Sequence, residues 1–61
     1  MEQPDFLARI ERFMIRRRVR PATFGRRAMG DPKFVFQLRA GRDPMMRTVQ
    51  RVLAFMRNGG G

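Results

Sequence analysis

The chain contains no cysteine, histidine, tryptophan or tyrosine, and only five of its 61 residues are acidic. Without thiols or imidazoles there is no disulfide framework, zinc finger, thiol nucleophile, haem ligation or histidine-based proton transfer to expect. The five carboxylates, Glu2, Asp5, Glu11, Asp31 and Asp43, fall mostly at expected helix starts and form no evident catalytic pair. No enzymatic role, metal, cofactor or small-molecule substrate is therefore expected. Long apolar runs are also missing: none approaches the roughly 18 residues of a membrane span. The opening Met1-Glu2-Gln3-Pro4-Asp5 lacks the basic start and apolar stretch of a secretory signal. The expected location is therefore cytoplasmic.

What the chain has in excess is positive charge. Fourteen basic residues against five acidic ones leave a formal net charge of +9, and all the basic residues except Lys33 are arginine. Such a balance calls for an anionic polymer or surface as partner. Arginine's planar fork suits phosphates and guanine edges better than a lysine ammonium does. A chain this short makes one small domain that buries only about 60% of its unfolded surface, so packing alone must hold it together.

Proline and glycine divide the sequence into four apolar-periodic segments. The first, residues 4–19, places Phe6, Ile10, Phe13, Met14 and Arg17 on one face, with Leu7 adjoining, and predicts an amphipathic helix. Pro4, Asp5 and Glu11 suit its N-terminal half and Arg16, Arg17, Arg18 and Arg20 its C-terminal end. Pro21 stops it and opens a second helix over 21–29, with Phe24 and Ala28 inward and Gly25 small enough to admit another backbone. Gly30 is its stop. Asp31-Pro32 reads as the cap and first residue of a third helix over 32–40, carrying Phe34, Val35 and Leu38. After Gly41, Asp43-Pro44 repeats that signal for a fourth helix over 44–57, with Met45, Val49, Val52, Leu53 and Met56 as its buried stripe. Residues 58–61 read as a flexible tail. The expected class is all-α: a compact four-helix domain over 4–57, with no internal repeat.

Two short helices joined by a tight glycine-containing turn and flanked by longer helices form a helix-turn-helix unit. Phe24-Gly25-Arg26-Arg27-Ala28-Met29-Gly30, Val35 and Leu38, Gly41-Arg42-Asp43-Pro44, Thr48-Val49 and Val52-Leu53-Ala54-Phe55-Met56 together resemble the lambda-repressor-like (Cro/C1, XRE-type) DNA-binding domain. The resemblance covers about residues 10–56. Phe24-Gly25 stands where the family has Leu-Ala, Val35 at the inward position of the recognition helix, and Leu38 at the apolar position three residues later. Three departures accompany it. Met29 occupies the usual place of the turn glycine, Pro21 stands near the Gln that often opens the second helix, and no segment answers to the family's common fifth helix.

The resemblance implies a transcriptional regulator of bacterial, phage or mobile-element type that binds double-stranded DNA through its third helix. With Val35 and Leu38 inward, Lys33, Phe36, Gln37 and Ala40 face outward as candidate base readers: Gln37 for adenine, Lys33 for guanine or phosphate, Phe36 or Ala40 for a thymine methyl. Thr23, Arg26, Arg27, Arg39, Arg42 and Arg47 are the candidates for backbone phosphates. Sequence-specific action would need a homodimer, adjacent copies or another transcription protein.

Blander readings stand beside these. Arg16-Arg17-Arg18 reads equally as a solvated charge run. Phe34 and Phe36 lie on different sides of a helix, so Phe36 is open between core and base contact. The methionines read as core filler. Two competing functions remain: a protein-interaction adaptor or anti-repressor docking through Phe36 and a Met-rich surface, and a cationic amphipathic peptide at anionic membranes. The internal caps and proline breaks suit a folded globule better than an interfacial helix.

Overall fold

A computed structural model describes residues 3–60; Met1, Glu2 and Gly61, and the side chains of residues 3–5 (Asp5 among them), lie outside the described residues. The described chain is all-helical, with α1 at Gln3–Arg17, α2 at Pro21–Met29, α3 at Phe34–Arg39 and α4 at Met46–Arg57. Its Cα radius of gyration is 10.2 Å, close to the roughly 10.5 Å of a well-packed chain of this length. No helix among the described residues is long and apolar enough to cross a membrane.

Three of the helices, α1, α2 and α4, meet around three phenylalanines. Phe13 of α1 and Phe24 of α2 are edge-to-face at 5.7 Å between ring centroids, and Phe24 meets Phe55 of α4 at 5.5 Å with rings nearly perpendicular. Phe13 and Phe55 close the triangle at 6.4 Å. Edge-to-face contact sets a positive ring edge against a negative ring face, adding about 0.5–1.5 kcal/mol per pair beyond the area buried. Phe6, Ile10 and Met14 of α1, Ala28 of α2, Phe34, Val35 and Leu38 of α3, and Val49 and Val52 of α4 complete the core. Every buried side chain among the described residues is apolar or glycine.

α2 packs principally against α3 and then α4. Its contact face carries Gly25 and Ala28, so backbones come close, whereas α1 offers Phe6, Ile10, Phe13 and Met14 and stands further off. At Gly25 the approach is tightest: a Cβ placed there would lie 2.3 Å from the Asp31 carbonyl oxygen and 3.3 Å from Phe34 Cβ. The Gly25 carbonyl in turn accepts the Asp31 amide at 3.1 Å.

Helix ends differ from the sequence expectation in ways the backbone explains. α1 stops at Arg17 rather than 19 because Arg18 takes a left-handed conformation, φ 57°. The Val19 amide then bonds to the Met14 carbonyl and the Arg18 amide to that of Ile15, the Schellman pattern with arginine where glycine is usual. α3 begins at Phe34, not Pro32. Asp31-Pro32-Lys33-Phe34 is a type I turn, with Lys33 at φ −91°, ψ −4° and the Phe34 amide bonded to the Asp31 carbonyl. Asp31 still caps: its Oδ1 accepts the Lys33 amide at 2.9 Å.

α4 begins at Met46 rather than 44. Met45, extended at φ −71° and ψ 156°, takes the N-cap place expected of Asp43. Met45 is consequently 69% exposed instead of lying in the buried stripe. The inward face centres on Val49 and Val52, and Phe55 joins it. Residues 58–60, expected to be loose, close α4: the Gly60 amide bonds to the Phe55 carbonyl, and a Cβ on Gly60 would strike the Phe13 ring at 2.5 Å.

Two glycine exchanges should therefore act in opposite directions. Gly25→Ala forces α2 and α3 apart and should cost about 2 kcal/mol, by overpacking, lowering the unfolding midpoint by roughly 10 °C. Arg18→Gly removes left-handed strain and should stabilise by about 0.5–1 kcal/mol. Thermal unfolding followed by circular dichroism measures both.

Candidate nucleic-acid interface

α2, the Gly30–Lys33 turn and α3 form one rigid corner, fixed by Gly25 against Asp31 and by the capping bonds of Gly30 and Lys33. α3 is six residues long and turns Phe34, Val35 and Leu38 into the core. Lys33, Phe36, Gln37 and Ala40 follow the i, i+3, i+4, i+7 spacing of a single face. Lys33 and Ala40 are exposed, Gln37 is half-buried and Phe36 is 50% exposed. The side left open in the sequence is thus settled: Phe34 completes the core and Phe36 faces out.

The surrounding cations divide into three groups. Arg26 and Arg27, at the C-terminal end of α2 where the helix dipole favours positive charge, are exposed, as is Arg47 at the start of α4. Arg42 is exposed, and its Nη1 donates to the Gln37 side-chain oxygen, so the loop after α3 steadies the amide that the sequence offers to adenine. Thr23 is half-buried in the first turn of α2.

Arg39 is paired within the fold. Its Nε and Nη2 each donate to a different Glu11 carboxylate oxygen at 2.8 Å, a bidentate pair bridging α3 and α1. Its guanidinium also lies 5.8 Å from the Phe36 ring centre, near enough for cation–π attraction. Arg39 therefore positions α3 on α1 and steadies Phe36. Nothing in the sequence marks this pairing, since 28 residues separate the partners.

A second basic array went unnoticed in the sequence. Arg9, Arg12 and Arg16 of α1, with Arg57 of α4, edge a groove between these helices. The i, i+3, i+7 spacing along α1 was the available signal.

Protein-family models, curated proteins and solved structures were compared with this chain. None matches it. Any functional reading rests on the chain's own residues and their arrangement.

The Arg39 hydrogen bonds hold the Glu11 carboxyl below its ordinary value; partial burial opposes the shift and the guanidinium charge adds to it. A carboxylate with a depressed folded-state pKa adds stability that is fully present above its unfolded value, about 4.3, and is lost as pH falls through the lower folded value. Glu11→Gln should accordingly be less stable than the parent at neutral pH, with the difference vanishing in strong acid. Urea unfolding midpoints across the acidic range measure this.

Proposed function

We propose that the protein binds double-stranded DNA as a small helix-turn-helix regulator of bacterial, phage or mobile-element type, seating α3 in the major groove. The observation that carries the reading is the α2–α3 corner: a rigid short helix whose outward face bears Lys33, Phe36, Gln37 and Ala40 amid exposed Arg26, Arg27, Arg42 and Arg47. A helix is about 10–12 Å across with its side chains, so a major groove about 12 Å wide admits it with that face toward the base edges. In this reading Gln37, steadied by Arg42, addresses adenine, Lys33 a guanine edge or a phosphate, and Phe36 and Ala40 thymine methyls. Thr23 joins the arginines at the backbone.

One specific observation favours the alternative, a protein-binding adaptor that kept the same helices: the half-exposed Phe36 ring beneath Arg39. An exposed aromatic beside arginine is a frequent anchor at protein interfaces.

Salt dependence separates electrostatic DNA docking from either adaptor or inert charge. Arg26, Arg27, Lys33, Arg42 and Arg47 are five exposed cations around α3. Neutralising about five phosphates gives a log–log slope of affinity against salt near −4.5. Fluorescence anisotropy with a labelled duplex should return that slope. Arg26→Ala or Arg47→Ala should each flatten it by about 0.9, and Lys33→Glu with Gln37→Ala should weaken binding about tenfold or more. A salt-insensitive or undetectable interaction overturns the DNA reading. Intact partner docking in a Lys33→Glu, Gln37→Ala variant, lost on Phe36→Ala, supports the adaptor.

A further inference from the structure

The groove between α1 and α4 has a volume of about 520 Å³ and is built in two tiers. Phe13, Leu53 and Met56 form its apolar floor, Leu53 and Met56 being only partly buried. Arg9, Arg12 and Arg16 on one side and Arg57 on the other are exposed and form its edges. No acidic side chain lines it among the described residues, and the Glu11–Arg39 pair faces α3 instead. At 100° per residue, Glu11 and the centre of the Arg9–Arg12–Arg16 stripe lie about 130° apart around α1. The groove is therefore a different side of the molecule from the face bearing Lys33, Phe36 and Gln37.

From this two-tier chemistry we infer that the α1–α4 groove is a docking site for an acidic amphipathic helix of a protein partner. Three considerations select that occupant. Three arginines at i, i+3 and i+7 on α1 repel one another, and carboxylates presented in forks relieve this through charge-assisted bidentate bonds. The groove is open along one side, so a small amphiphile would remain largely in water, whereas binding pockets for such molecules enclose most of the ligand. A helix needs cover on one face only and lies in a groove between two others with leucine-sized anchors at i, i+3, i+4 and i+7. A nucleic-acid backbone would satisfy the arginines but has no apolar edge to cover Leu53 and Met56. Acidic residues flanking apolar anchors satisfy both tiers at once.

The proposal stands independently of DNA binding by α3. Its test is an amide NMR titration of the protein with a synthetic helix of about five turns, leucine on one face and glutamate on the rest. A scrambled peptide of identical composition and a short DNA duplex are titrated in parallel. Expected are shifts over residues 9–16 and 53–57, with the α3 amides unmoved, and affinity about tenfold or more above the scrambled peptide. Arg12→Glu with Arg16→Glu, both exposed and outside the core, should raise the Kd about tenfold or more while leaving the unfolding midpoint in place. Met56→Gln should weaken the peptide and spare the duplex. Equal binding of the ordered and scrambled peptides would overturn the proposal by showing charge attraction alone. A groove that answers only the duplex, or neither probe, would overturn it as well.

Discussion

The approach of α2 to α3 at Gly25 is the constraint from which the remaining geometry follows. Because that residue has no side chain, the Asp31 carbonyl sits where a Cβ would otherwise be, and the turn from Gly30 to Lys33 folds back directly onto α2. The neighbouring residue, Phe24, is one corner of the aromatic triangle with Phe13 and Phe55. α1 and α4 are thereby keyed to α2 through rings, while α3 is keyed to it through backbone. In a chain too short for a large core, a few contacts of this kind must define the fold, and the absence of buried polar side chains among the described residues means that none of them has to offset a buried charge.

That division of labour leaves the rest of the surface free for charge. The arginines lie outside the core, yet they are not equivalent. Arg39 is tied to Glu11 and Phe36, Arg42 to Gln37, Arg17 to the Gly59 carbonyl, and Arg9, Arg12, Arg16 and Arg57 edge the groove between α1 and α4. A net charge of +9 describes attraction at long range. Placement decides what each guanidinium does at contact, and it separates the exposed arginines around α3 from those that edge the α1–α4 groove.

Much of the helical architecture was legible because proline and glycine act locally. Pro21 marks a boundary through its fixed φ and missing amide hydrogen, Gly30 and Gly41 through the positive φ they take without strain, and the 3.6-residue spacing of Phe6, Ile10, Phe13 and Met14 identifies the buried side of α1. What escaped depends on tertiary position or on phase. Arg18 adopts a glycine-like conformation that its identity does not advertise. Pro32 serves a turn as readily as a first helical residue. The stripe assigned to α4 holds at Val49, Val52, Leu53 and Met56 but loses Met45, which lies before the helix, and gains Phe55, an apolar residue that only the neighbouring helices draw in. The candidate base-reading residues share the face that their spacing implied. The Arg39–Glu11 pair and the arginine-edged groove join distant segments, and a single sequence carries no mark of such meetings.

The central claim is that the α2–α3 corner is the part of this molecule that meets DNA. Backbone-amide NMR with a short non-specific duplex at low and moderate salt tests it residue by residue. The account predicts shifts concentrated on Lys33 through Ala40, with Arg26, Arg27, Arg42 and Arg47, all weakening steeply as salt rises. A silent α3 with shifts confined to α1 would contradict it, leaving the positive charge as a general attractor of anions.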